Sequence, residues 1–156
     1  MLGYVCKYTP MELFEAMDTE ITRLEPSVTD FNHADTLMHA NICSYTKAVL
    51  EDVMEHDYEG VILTTCCDSI RRLYDTLKSQ FPDKFFFLLD IPRKFNDFAV
   101  TLYERQLKQM LTEYEAFSGK TLDLKRFVSM MQNKAALKKQ ENTRMSASAA
   151  SEKGNG

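Results

Sequence analysis

Four cysteines, Cys6, Cys43, Cys66 and Cys67, are the residues of this chain best suited to chemistry. A cysteine thiolate is both a nucleophile and a ligand of soft metals and iron–sulfur clusters. The spacing fits neither a zinc ribbon nor a ferredoxin, because Cys66 and Cys67 are adjacent and 24 positions separate Cys43 from Cys67. Spacing alone leaves packing and chemistry both open for Cys43 and the Cys66/Cys67 pair, whereas Cys6 is expected to be a packing residue.

Three segments that carry polar or thiol side chains are expected at one edge of a sheet. Residues 64–68 follow an apolar run and open a helical pattern, residues 39–45 precede another helical stripe, and residues 90–94 follow the apolar run 85–89. Function in a parallel α/β sheet collects at the carboxyl ends of the strands. A cysteine at a helix N-terminus also faces unpaired N–H groups and the positive end of the helix dipole, which favour the thiolate.

Short β-rich runs alternate with helical patterns, which predicts an α/β fold. We expect a three-layer, mostly parallel sheet of about four strands flanked by helices, with long C-terminal helices and a disordered tail. The expected strands are residues 2–5, 21–24, 61–65 and 85–89. Residues 1–144 are expected to form a single α/β domain, and the low-complexity residues 145–156 the disordered tail.

The helical patterns also predict caps and buried faces. Thr9 is expected to cap a first helix in a capping box with Glu12. A helix over residues 96–117 should end at Gly119. One apolar stripe at helical spacing consists of Ile42, Tyr45, Val49 and Val53. A final helix from about residue 121 should carry Leu122, Leu124, Phe127, Val128, Met131 and Leu137.

Composition excludes several classes of function. The chain has 156 residues with 19 basic and 23 acidic side chains, a net charge of −4, which argues against general affinity for nucleic acid or anionic membranes. Its five glycines cannot form a Walker loop or a GxGxxG fingerprint. Because no signal peptide or membrane-spanning run is visible, we expect a cytoplasmic protein with reduced thiols.

Several of these segments occur together in a known family. Residues 3–13, 34–45, 63–75 and 88–94 resemble, in order, the 2-hydroxyacyl-CoA dehydratase family, which includes the benzoyl-CoA reductase subunits. The asparagine–x–cysteine motif ending at Cys43 and the cysteine–aspartate–x–x–arginine–arginine motif starting at Cys67 are the most specific parts. The resemblance extends from Leu2 to about Phe127.

The resemblance implies an iron–sulfur lyase that acts in anaerobic metabolism. Such enzymes convert a (R)-2-hydroxyacyl-CoA to an enoyl-CoA through a ketyl radical, with one electron supplied by an ATP-dependent activator. A four-iron four-sulfur cluster lies between two α/β domains of the subunit. By resemblance, Cys43 and Cys67 would be two of its ligands, Cys66 a weaker candidate, and Cys6 not a ligand. No catalytic residue is assigned.

The third family ligand comes from a second domain, and no cysteine follows Cys67 here. The chain is therefore expected to be the N-terminal domain of such a subunit, incomplete alone, with a partner subunit or self-association. Two alternatives remain open. One is a cluster-free α/β binding or scaffold module derived from the family, and the other is a thiol redox protein that uses Cys66 and Cys67.

Overall fold

A computed structural model describes the backbone of residues 1–152 and the side chains of residues 1–142. Four parallel strands form one sheet in the order β2-β1-β3-β4. The strands are β1 Leu2–Tyr4, β2 Ile21–Arg23, β3 Gly60–Thr64 and β4 Phe85–Leu89. The helices are α1 Met11–Glu15, α2 Asn32–Leu37, α3 Ser44–Glu55, α4 Asp68–Gln80, α5 Asp97–Ser118 and α6 Leu124–Glu152. The predicted fold class is confirmed.

Helices cover both faces of the sheet, so the strands are apolar on both sides. On one face Val61 and Leu63 of β3 pack in a core with α3 and α4. On the other face Ile62 packs in a second core that contains Phe14 of α1 and Tyr114 of α5. This arrangement explains why β3 and β4 are unbroken apolar runs rather than alternating patterns.

The pairing of β3 with β4 depends on a glycine at their first paired position. Gly60 pairs with Phe85, and a Cβ atom on Gly60 would lie 1.9 Å from the Phe85 carbonyl oxygen. A side chain at this position would push the two strands apart. The glycine therefore fixes the close approach that aligns the carboxyl ends of the two strands.

The predicted ends of the long helix α5 are confirmed. Asn96 is the N-cap, and its side-chain oxygen accepts a 2.8 Å hydrogen bond from the Ala99 N–H group. Gly119 follows the helix in the left-handed conformation, with φ at 70°. The Asn96 cap defines where the β4–α5 loop ends and α5 begins, and Gly119 defines where α5 ends.

The predicted capping box at α1 is wrong. Pro10 occupies the N-cap and no side chain caps the helix. The Thr9 hydroxyl is buried and makes no hydrogen bond within the described part of the chain. The chain turns one residue later than expected, because the Met11 N–H group bonds to the Thr9 carbonyl and α1 starts there.

The apolar stripe of α3 is buried at Val49 and Val53, but not at Tyr45. Tyr45 is 46% exposed because it lies in the first turn of α3, beyond the edge of the core. On α6, Phe127 is partly buried, but the other apolar positions are mostly open to solvent: Leu124, Val128, Met131 and Leu137. The reason is that α6 packs along α1, partly through ion pairs from Lys134 to Glu12 and Glu15, and no other element of the described chain covers its outer side.

The sequence predicts a disordered tail over residues 145–156. The structure describes no side chain in this segment. The backbone of residues 145–152 belongs to α6, and residues 153–156 lie outside the described part altogether. The tail therefore stays a prediction.

Candidate cysteine site at the carboxyl edge of the sheet

Cys43 and Cys67 occupy equivalent positions at the starts of two helices. Cys43 is the N-cap of α3 and Cys67 the N-cap of α4, and both have extended backbone conformations. Both thiols are free and exposed. The sequence placed them at helix entrances on the carboxyl edge of the sheet, and that placement is confirmed. Their role as ligands stays a prediction.

The Cys43 thiol is surrounded by hydrogen-bond donors. Its Sγ atom lies 3.1 Å from Oγ1 of Thr46, one turn along α3. Burial alone would raise the pKa of this thiol, but hydrogen bonds from the Thr46 side chain and N–H group, from Ser69 and from the Tyr45 N–H group outweigh burial and lower it. Ser69 belongs to the first turn of α4, so the N-termini of α3 and α4 meet at this thiol.

Cys66 differs electrostatically from Cys43. Burial raises the pKa of the Cys66 thiol above its ordinary value. The neighbouring Cys67 and Cys6 raise the pKa further when they carry negative charge. Cys66 therefore loses its proton less easily than Cys43, which is consistent with its being the weaker candidate ligand.

Cys6 lies at the same edge but deeper. It is partly buried against the core formed with α3 and α4, as the sequence predicted for a packing residue, and it lines a cavity together with Cys66. Burial raises the pKa of Tyr45, Arg23 opposes that effect, and the charges of Cys66, Cys6 and Cys43 add to the increase. Cys6, Cys43 and Cys66 thus all lie close enough to Tyr45 to influence its pKa.

Asp90 ties the β3–α4 loop to the rest of this edge. Its carboxylate accepts a hydrogen bond from the Thr65 hydroxyl and lies 4.0 Å from the guanidinium of Arg71 on α4. Its backbone N–H group donates to Gln106 on α5 at 2.7 Å, and the Gln106 amide donates back to the Asp90 carbonyl at 3.2 Å. The turn that carries Cys66 and Cys67 is therefore linked to β4, α4 and α5.

Glu51 fixes the segment that leads into Cys43. This carboxylate is only 2% exposed and accepts hydrogen bonds from the N–H groups of His33 and Ala34, at 2.7 and 2.8 Å, and from the His33 ring at 2.7 Å. It thereby caps the N-terminus of α2 from the middle of α3. Burial alone would raise the pKa of Glu51, but these hydrogen bonds outweigh burial and lower it.

Sequence reasoning missed both of these carboxylate networks. The segments 64–68 and 90–94 were both singled out, but the bond between Thr65 and Asp90 and the partner Gln106 were not, although a polar residue after each of two adjacent strands was a usable signal. Nothing in the local pattern around Glu51 indicates its role, because its partners lie 17 and 18 residues away. Neither network includes a hydrogen bond to a cysteine side chain.

A comparison with protein-family models identifies the family. The model for the 2-hydroxyglutaryl-CoA dehydratase D-component matches residues 6–152, which is most of the chain and includes all four cysteines. The chain belongs to this family. A comparison with curated proteins gave no significant match. A family described as a component indicates that partner subunits exist.

The thiols suit an iron–sulfur cluster in type but not in number. Cysteine thiolates at helix N-termini are the ordinary ligands of such clusters, and backbone N–H groups there can bond to cluster sulfides. Within the described residues, however, no group of three or more histidine, cysteine, aspartate or glutamate side chains is placed to hold a metal ion. The described residues therefore do not by themselves form a complete site for a cluster.

None of the helices within the described range is long and apolar enough to cross a membrane.

Proposed function

We propose that this chain is a component of a 2-hydroxyacyl-CoA dehydratase and contributes Cys43 and Cys67 as two ligands of a four-iron four-sulfur cluster. The observation that carries the proposal is that both thiols are free, exposed N-caps of α3 and α4, two helices that pack in the same core on one face of the sheet. Two cysteines far apart in sequence are thereby brought to one edge of one sheet.

At least part of the remaining ligand set comes from outside the described residues, either from a partner subunit or from a further segment of the same protein. Cys66 is a candidate for a third ligand from this chain, but burial and the charges of its neighbours raise the pKa of its thiol. A complete site thus needs an assembly, in agreement with a family that is described as a component.

When bound, the cluster supplies the single-electron chemistry that removes water from a (R)-2-hydroxyacyl-CoA. The chain's own residues favour the thiolate form of Cys43 and hold the segments that carry the two cysteines. Thr46 and Ser69 donate hydrogen bonds that stabilise the Cys43 thiolate, the form that coordinates iron. Asp90 and Thr65 hold the turn in which Cys67 lies, and Glu51 holds the helix that precedes Cys43.

The proposal extends to the setting in which such chemistry operates. An ATP-dependent activator supplies the electron, and an oxygen-sensitive cluster requires an anaerobic cytoplasm. The experiment that tests the cluster itself is reconstitution under anaerobic conditions with iron and sulfide, alone and beside the partner subunit. Acquisition of a cluster by the complex supports the proposal, and a complex that stays colourless and free of iron contradicts it.

A second candidate function is a cluster-free binding or scaffold module, which the exposed apolar positions of α6 favour. The two candidates differ in what happens when Cys43 and Cys67 are both replaced by serine. Loss of the partner's activity supports the cluster, whereas unchanged activity and unchanged assembly support the scaffold.

A further inference from the structure

A groove lies beside the cysteines, between the loop that carries Tyr8 and the loop that joins β4 to α5. It consists of two adjoining cavities of about 550 and 460 Å³. The two cavities share Tyr8, Ile91, Pro92 and Arg93, so they are continuous. The inner cavity reaches Cys6, Thr65 and Cys66, and the outer one reaches Lys94, Phe95, Ala99, Val100 and Tyr103.

The wall of the groove is largely apolar and open to water. Tyr8 is 59% exposed, Val100 is 46% exposed, and Phe95 at the outer end is 97% exposed. The Tyr103 hydroxyl donates a 3.4 Å hydrogen bond to the Tyr8 carbonyl, which joins the two sides of the groove. Covering such side chains with an apolar group is favourable, at about 25 cal/mol per Å².

Two cations line this apolar groove. Arg93 borders both cavities and Lys94 borders the outer one. Neither forms an ion pair within the described residues, while the nearby Asp90 is already engaged by Thr65 and Arg71. A guanidinium in an apolar cleft favours a ligand that carries a carboxylate or a phosphate.

We propose that this groove binds an apolar organic anion, with the anionic group at Arg93 and the apolar body against Tyr8, Val100 and Tyr103. The inference rests on the proposed function, which it deepens by assigning the residues that hold the substrate. The inner end of the groove lies at Cys66, next to Cys67, so a thioester bound along it has its reacting part near the proposed cluster. The anionic group comes either from a carboxylate on the acyl chain or from the phosphates of coenzyme A.

The experiment is calorimetric titration of the full chain, without a cluster, with coenzyme A, butyryl-CoA and glutaryl-CoA. We expect binding of the thioesters, and a loss of affinity of about tenfold or more on Arg93→Ala. Loss of affinity for coenzyme A itself assigns the phosphates to Arg93. A loss confined to glutaryl-CoA assigns the acyl carboxylate. Val100→Glu, which places a negative charge in the wall, should weaken binding of all the ligands that bind.

The matched control is Arg105→Ala, which removes the same charge from an exposed position of α5 outside the groove. Absence of binding by all three probes, or equal effects of the Arg93 and Arg105 variants, overturns the inference. It is also overturned if the groove variants change the association state in light scattering and leave ligand binding unchanged, because the groove is then a protein interface.

The cluster can be scored separately in the same proteins. Arg93→Ala should leave the iron content of the reconstituted complex unchanged, since Arg93 contacts neither Cys43 nor Cys67 in any described interaction. If the complex acquires no cluster while the Arg93 dependence of binding holds, the proposed function fails and the groove assignment stands.

Discussion

The Sγ atom of Cys43 and the Oγ1 atom of Thr46 lie 3.1 Å apart across the first turn of α3. The thiol at the N-cap does not cap its own helix by a side-chain hydrogen bond, but the helix stabilises the thiol. With the N–H groups of Tyr45 and Thr46 and the Ser69 hydroxyl, Thr46 makes this cysteine the one whose pKa is lowered.

Replacing Thr46 by valine removes the hydroxyl and keeps nearly the same volume. Thr46 is fully buried, so the change tests the hydrogen bond rather than exposure. The pKa of the Cys43 thiol should rise, because one of the donors that stabilise its thiolate is lost while the burial that opposes the charge remains. The measurement is the pH dependence of alkylation by iodoacetamide in a protein whose other three cysteines are serine. Thr76→Val, at a partly buried position of α4, is the control, and an equal pH midpoint in both variants would contradict the prediction.

Cys43 should also react at a lower pH than Cys66 in the unmodified protein. Hydrogen bonds outweigh burial at Cys43, whereas burial and neighbouring negative charge prevail at Cys66. Alkylation followed site by site with mass spectrometry, at several pH values, gives the order directly. The reverse order would mean that the donors around Cys43 do not act on its thiol in solution.

Glu51→Gln should destabilise the protein by about 1–3 kcal/mol at pH 7, since a buried charged acceptor of three hydrogen bonds is replaced by a neutral amide. The pKa of Glu51 is lowered in the folded state. Its contribution to stability is therefore present above the unfolded pKa, near 4.5, and is lost as the pH falls through the lower folded value. Urea unfolding between neutral and acidic pH should thus show a shallower acid decline in the variant. Glu55→Gln, at an exposed position of the same helix, is the control, and a change of the same size in it would refute the assignment.

Gly60→Ala should lower the free energy of unfolding more than Gly119→Ala does. At Gly60 the new methyl group meets the Phe85 backbone oxygen, so the strands must separate, at a cost of about 3 kcal/mol or more. At Gly119 nothing lies within 4 Å, and the cost is only the left-handed conformation, about 1 kcal/mol. Chemical unfolding of both variants gives the comparison, and equal costs would contradict the described register of β3 and β4.

The order of the strands, and of the helices other than α2, was predictable from the sequence because it depends on local signals; no pattern indicated the six-residue helix α2. The apolar run of β4, the Asn96 cap and the Gly119 stop each act within a few residues. The placement of Cys43 and Cys67 followed from the same signals, since both immediately precede a helical stripe.

Features that depend on tertiary contacts were not predictable. Thr9 and Glu12 have the spacing of a capping box, but the chain turns at Pro10 and leaves the Thr9 hydroxyl buried. From the sequence alone, Glu51 on α3 would be interpreted as an exposed charge, because its burial depends on the packing of α2 against α3. The apolar positions of α6 indicate a buried face, yet the described part of the chain contains no element that covers Val128 or Met131.

The most direct test of the proposed site is the iron and sulfide content of the anaerobically reconstituted complex between this chain and its partner subunit. We predict that the complex acquires a four-iron four-sulfur cluster, and that Cys43→Ser and Cys67→Ser each abolish or strongly reduce it while Cys6→Ser does not. Equal iron and sulfide content in all four proteins would show that the cluster, if present, is held elsewhere, and would contradict the proposed role of Cys43 and Cys67.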